Sequence, residues 1–382
     1  MAARRGNTMW KKDRGDHGGP PLQTLRRAAM TSSMTPQRPP QRSGLIKAAA
    51  DLFPGYFALV MATGIISIAA HLLEMRTVAL ALLVINVVAF VALWLLLLLR
   101  LVLFFPRIQA DIADHVRGPG FFTVVAGTCV LGSQLIIVAG REGVAAFLWL
   151  AALVLWATIM YTFFTAVTVR ENKPSLETGL NGAWLIAVVA TQSISVLGTL
   201  LATRWEAYRE PLLFFTLCMF LIGCMLYVLL ITLIFYRFTF LNVTTATLTP
   251  PYWINMGAVA ITTLAGARLI LAAPGWSLLR DVLPFLKGFT LFFWAAGTWW
   301  IPLLLILGIW RHVYKRFPLR YDPQYWGMVF PLGMYTVCTF QLSNAIGFAP
   351  LLVIPRYFIY FALAGWLAAA TGLIHSLLLK SR

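Results

Sequence analysis

The sequence predicts an all-α integral membrane protein of ten transmembrane helices, arranged as five parallel-repeat hairpins with the odd helices lining a central pore and the even helices outside. Three observations predict it. Of the 382 residues, 60% are hydrophobic and only 11% are charged, against about 25% charged in a soluble domain. Apolar runs of about 20 residues or more recur along the chain, each able to cross a hydrocarbon core of about 30 Å as a helix. The starts of every second run are alike.

The spans run 53–73, 78–105, 120–140, 144–169, 180–203, 211–236, 252–273, 282–310, 325–348 and 351–379. A membrane β-barrel would alternate apolar and polar residues, and Val91 to Leu99 does not. The domain is therefore residues 51–379, and residues 1–50 are a basic tail rich in Gly, Pro, Gln and Ser that reads as disordered. Such a tail suits a lipid-headgroup contact or a topology determinant, and no nucleic-acid partner is expected.

Each odd span opens on an aromatic residue, usually after Pro or Gly. The five openings are Pro54-Gly55-Tyr56-Phe57, Pro119-Gly120-Phe121-Phe122, Asn181-Gly182-Ala183-Trp184, Pro251-Tyr252-Trp253 and Pro323-Gln324-Tyr325-Trp326. Their aligned aromatics lie 65, 62, 69 and 73 residues apart, one helical hairpin each time. Parallel repeats follow, unlike the inverted repeats of many secondary transporters. The odd spans hold 28 Gly, Ser and Thr in 112 residues and the even spans 16 in 138. Small residues allow helices to approach closely and hydroxyls can solvate an ion, which places the odd helices inside.

Orientation follows from the Lys and Arg residues, because short basic loops stay cytoplasmic. With both termini inside, 22 of the 30 basic residues fall on the cytoplasmic side. The other 8, Arg268 among them, fall at the opposite ends of the spans. A multi-pass protein of the plasma (inner) membrane is expected.

The chemistry of the spans points to anions. None of the 13 carboxylates falls in the middle of a span, whereas cation paths and proton-coupled carriers usually need one there. An anion path needs hydroxyls, helix N-termini and basic mouths instead. Thr63, Ser67, Thr128, Ser133, Thr191, Ser195, Thr262, Thr336 and Thr339 are the candidate hydroxyls. The four Cys residues lie inside spans without a Cys-x-x-Cys pair and read as packing residues. The histidines do not cluster, and no phosphate-binding Gly-rich loop with Lys occurs. No catalytic set, metal site or cofactor is expected.

One local feature stands out. In Gly327-Met328-Val329-Phe330-Pro331, the proline has no N–H for the carbonyl of Gly327, so the helix kinks beside the Phe330 ring. A ring at such a bend can plug a narrow pore or simply pack. In register, four residues past each aligned aromatic, stand Met61, Ala126, Val188, Gly257 and Phe330.

The run Phe53-Pro54-Gly55-Tyr56-Phe57 with Met61-Ala62-Thr63-Gly64, and the run Tyr325-Trp326-Gly327-Met328-Val329-Phe330-Pro331-Leu332-Gly333-Met334, resemble the tellurite-resistance and dicarboxylate transporter family. That family takes in bacterial tellurite-resistance proteins, yeast malate and sulfite transporters, and the slow anion channels of plant guard cells. The resemblance covers roughly residues 51–379. It implies a homotrimer with one pore per subunit, and it implies that Phe330, followed by Pro331, is the pore gate. It also implies a cargo of small anions: C4-dicarboxylates such as malate, sulfite, nitrate or chloride. A proton-coupled dicarboxylate or sulfite carrier is the alternative within transport.

Overall fold

A computed structural model describes residues 44–380, and over them every regular element is helical. Ten long helices are numbered here in chain order: α1 (Ala58–Leu72), α2 (Arg76–Leu103), α3 (Phe122–Ala139), α4 (Glu142–Val169), α5 (Ile186–Ala202), α6 (Arg209–Phe240), α7 (Ile254–Ala272), α8 (Leu283–Ile309), α9 (Trp326–Ile346) and α10 (Val353–Lys380). Among the described residues, nine helical stretches are long and apolar enough to cross a membrane. The exception is α9, a helix of 21 residues whose apolar character is diluted by Pro331, Thr336, Thr339, Gln341 and Ser343.

The odd helices close into a ring, since α1 packs on α3, α3 on α5, α5 on α7, α7 on α9 and α9 back on α1. Each even helix lies outside, against the odd helix that precedes it and, with fewer contacts, the one that follows. The two layers differ in burial as their compositions require. The most apolar stretches of α1, α3, α5 and α7 are 78%, 83%, 100% and 89% buried, whereas those of the five even helices are 17% to 39% buried. In α9, Thr336, Thr339, Gln341 and Ser343 are buried as well, which explains how a helix of low hydropathy is held here. The even helices turn side chains such as Val84, Val88 and Leu95 outward, each more than 60% exposed, the face that lipid would cover.

The repeated openings have a structural meaning. Each inner helix begins in a one-turn 3₁₀ segment at its motif: Pro54–Phe57, Gly118–Phe121, Gly182–Leu185, Pro250–Trp253 and Pro323–Tyr325. These five turns touch in a closed circle of their own. The five inner helices therefore start at one mouth and run in one direction. Glycine is required for the approach: a Cβ built on Gly120 would lie 2.8 Å from the Gly55 nitrogen, and one on Gly182 would lie 2.6 Å from Tyr252 Cα. At the far ends, α3 and α9 stop at Gly140 (φ 64°) and Gly347 (φ 71°), left-handed positions that suit glycine.

The expected boundary of the tail moves. Residues 1–43 lie outside the described residues, but Gly44–Ala50 forms a short helix that packs on α2. Its anchor is Arg100 of α2, only 2% exposed. The Arg100 guanidinium donates 2.7 Å hydrogen bonds to the Leu52 carbonyl and to Asp111 of the short helix Phe105–Ile112. Breaking a buried pair of this kind typically costs about 3–5 kcal/mol, because one charge stays buried without its partner. Asp111→Asn is therefore expected to lower stability by about 3 kcal/mol, read as an earlier thermal transition of the detergent-solubilised protein.

Candidate anion pathway

Two cavities lie along the axis of the ring. The first, about 590 Å³, opens at the mouth where the inner helices begin. Its floor is one residue from each inner helix: Ala58, Thr123, Ile186, Ile254 and Gly327. Its wall carries Arg117 and Arg237 beside Glu177 and Asp322. Arg117 pairs with Asp111 at 2.7 Å. Arg237 donates through Nε and Nη2 to the Glu177 carbonyl and lies 5.6 Å from the centre of the Tyr252 ring. Side chains cap two of the five helix openings, where Asn181 and Asp322 accept from the backbone two residues on. The converging N-terminal ends add positive potential to this mouth.

The second cavity, about 20 Å³, is enclosed by all five inner helices. That is room for about one water-sized guest. Its lining recurs at helical spacing: Ile65 and Ile68 on α1, Val130 and Ser133 on α3, Ser193 and Val196 on α5, Ile261 and Leu264 on α7, and Met334 and Val337 on α9. Counted from the aligned aromatics, α1, α3, α7 and α9 use the same register, while α5 is displaced by one residue. The axis therefore sees a 3–4 stripe of each helix.

Between the two cavities the stripe falls on Met61, Ala126, Gly257 and Phe330, and on α5 at Val189, one residue past the Val188 of the simple register. All five are buried. Phe330 is the one aromatic residue of the five. Opposite it, a Cβ built on Gly257 would lie 2.7 Å from Pro331 Cγ and 3.6 Å from Phe330 Cδ1. The missing side chain on α7 thus gives room to the Pro331 ring of α9.

The hydroxyls anticipated along the path lie elsewhere. Thr63 accepts a 2.9 Å hydrogen bond from the Trp366 indole of α10, and Thr191 accepts one of the same length from Trp156 of α4. Thr339 is held in the same way by Trp294 of α8. Ser67 donates to the Ala79 carbonyl and Ser195 to the Thr216 carbonyl, both on outer helices. Thr128, Thr262 and Thr336 donate to carbonyls one turn back in their own helices and line neither cavity. Thr63, Thr191, Thr339, Ser67 and Ser195 thus lock the inner ring to the outer layer. Only Ser133 of the nine candidates lines the axial cavity, joined there by Ser193, which hydrogen-bonds the Ala190 carbonyl.

Sequence reading also missed Arg268. Counted among the charges at the outer ends of the spans, it stands within α7 and lines the axial cavity. The signal was available, since Arg268 falls seven residues after Ile261 and four after Leu264, on the lumen stripe. Among the described residues no Asp or Glu is buried.

A ring of buried helices around two axial cavities, jacketed by apolar helices and free of buried carboxylates among the described residues, fits a membrane transporter for anions. The chain belongs to the SLAC1 family, described as voltage-dependent anion channel, whose sequence profile matches residues 51–374. Members of this family transport rather than catalyse. Over 153 residues the chain is 39% identical to an uncharacterized membrane protein of Mycobacterium tuberculosis, covering 40% of this chain and 77% of that one. It is 23% identical over 312 residues to an uncharacterized transporter of Methanocaldococcus jannaschii, covering 78% and 88%. A second transporter of that archaeon is 22% identical over 299 residues, covering 77% and 85%.

Proposed function

We propose that small anions pass along the axis of the five-helix ring and that Phe330, set by Pro331, is the gate that closes it. The cargo is a C4-dicarboxylate such as malate, or sulfite, with nitrate and chloride as further permeant anions. The mouth where the inner helices begin is the cytoplasmic one, both termini are cytoplasmic, and the protein sits in the plasma membrane as a homotrimer with one pore per subunit. The observation that carries the pathway is the pair of axial cavities, one at the mouth with arginines and carboxylates on its wall and one lined by the five inner helices alone, with Phe330 in register between them. The absence of a buried carboxylate among the described residues favours equilibration of the anion over coupling to protons.

The test is flux in reconstituted liposomes loaded in turn with chloride, nitrate, sulfite and malate, each with and without a pH gradient. Anion efflux that follows an imposed potential and needs no pH gradient is the expected result. Preferential movement of potassium would overturn the anion reading, and accumulation of malate or sulfite driven by a pH gradient alone would replace the channel with a carrier.

A further inference from the structure

Arg268 is the one residue at its depth that the rest of the ring does not explain. The equivalent positions on the other inner helices are Leu72, Ile137, Leu200 and Gln341. Ile137, Leu200 and Arg268 together bound the far end of the axial cavity. The buried arginines each keep one nitrogen without a hydrogen bond, Arg100 Nε, Arg237 Nη1 and Arg311 Nε, but each has a partner elsewhere on its guanidinium: Arg100 has Asp111 and the Leu52 carbonyl, Arg237 the Glu177 carbonyl, and Arg311 the Phe317 ring at 4.3 Å. Arg268 has no acceptor among the described residues. Its Nε is buried without a hydrogen bond, and it forms none of the five ion pairs found among those residues. Arg268 is half-buried with only its Nε fully withdrawn, and a guanidinium so placed with neither counter-charge nor acceptor is unfavourable, whereas an anion supplies both at once.

We propose that Arg268 forms, with the hydroxyl of Ser133, a binding site for one small anion in the axial cavity, beyond the ring of residues that contains Phe330. The site deepens the proposed pathway and rests on it. The chemical class follows from size and donors. A cavity of about 20 Å³ takes one small guest, which admits chloride or nitrate and leaves out an extended C4-dicarboxylate. The guanidinium presents a planar fork that matches a flat oxyanion such as nitrate, and a charge that suits chloride. Ser133 offers a hydroxyl donor from α3. The remaining lining is mostly aliphatic, so the guest meets little water and the charge is poorly screened.

The test reads binding separately from transport. Full-length protein in detergent is melted with sodium chloride, nitrate or gluconate at constant ionic strength, for wild type, Arg268→Gln and Arg268→Lys. Chloride and nitrate are expected to stabilise wild type over gluconate, and half-saturation is expected to rise about tenfold or more in Arg268→Gln, the loss of one charge-assisted contact. Arg268→Lys keeps the charge without the fork, so it should retain the chloride response and lose more of the nitrate response. That comparison decides the matter should Arg268→Gln fail to fold. Wild type without an anion response, Arg268→Gln within twofold of wild type, or Arg268→Lys with an unchanged nitrate-to-chloride ratio would each overturn the site.

Flux through liposomes separates this from the pathway itself. Binding that depends on Arg268 in a protein that moves no anion would keep the site and sink the transport reading. Anion flux of unchanged selectivity in Arg268→Gln would keep the pathway and sink the site.

Discussion

Replacing Phe330 with alanine is expected to raise passive anion flux by about tenfold or more, since removing even about 1.4 kcal/mol from a barrier gives that factor. The ring is 1% exposed, and its register places it between the depths of the two cavities. On the proposed pathway a bulky apolar group at this depth excludes both water and ions, and its removal is expected to join the cavities. Phe330→Leu should fall between, because a smaller apolar side chain narrows the passage without filling it. The same change removes a large buried side chain, so a stability loss of about 3–5 kcal/mol is expected beside the gain in flux. Flux has to be normalised to folded protein. Efflux of chloride from liposomes at a clamped potential measures it, and a Phe330→Ala protein that folds but conducts no faster than wild type would move the gate elsewhere.

Gly182→Ala is expected to destabilise the mouth of the ring by about 1–3 kcal/mol, the usual cost of forcing an extra group into a packed site. A Cβ there would meet the Pro251 carbonyl and lie 2.6 Å from Tyr252 Cα. Those atoms are backbone of the neighbouring lead-in turn, so no side chain can swing aside and the turns must separate. Gly288→Ala in the exposed face of α8 is the control, because a Cβ meets nothing within 4 Å there. In a helix interior that exchange is stabilising by up to about 1 kcal/mol. Thermal melts of the two variants in the same detergent should therefore shift in opposite directions. Equal shifts would mean that the contact of the two turns carries no weight.

Much of this was legible in the chain because the bilayer leaves few solutions for so many apolar residues. The helices, the two layers and the shared starting mouth follow from run length, from Gly, Ser and Thr content, and from the five aromatic openings. Those openings proved to be 3₁₀ turns rather than the first turns of α-helices. What was not legible was the direction of each side chain around its helix. Thr63 and Thr191 have the polarity of pore residues, yet an indole N–H on an outer helix claims each of them. In an apolar medium an indole needs an acceptor as much as an ion needs a donor, and composition alone does not separate the two demands. The displacement of α5 by one residue is likewise invisible to a repeat aligned on aromatics. Arg268 was counted by its nearness to a span end, although its spacing from Ile261 and Leu264 places it on the inner stripe.

The closure of the ring has a consequence for how the chain is made. Four of its five seams join hairpins adjacent in sequence, so each can form as soon as the next hairpin emerges. The fifth joins α9 to α1, and the hydrogen bond from Trp366 to Thr63 on that side spans 303 residues. Until the last hairpin is inserted, the growing protein is an open arc with one flank of α1 unpartnered and with no enclosed axis. Assembly is thus completed in its final step, and a ribosome stalled before α9 would leave in the membrane a four-hairpin sheet of helices in place of a partly sealed pore.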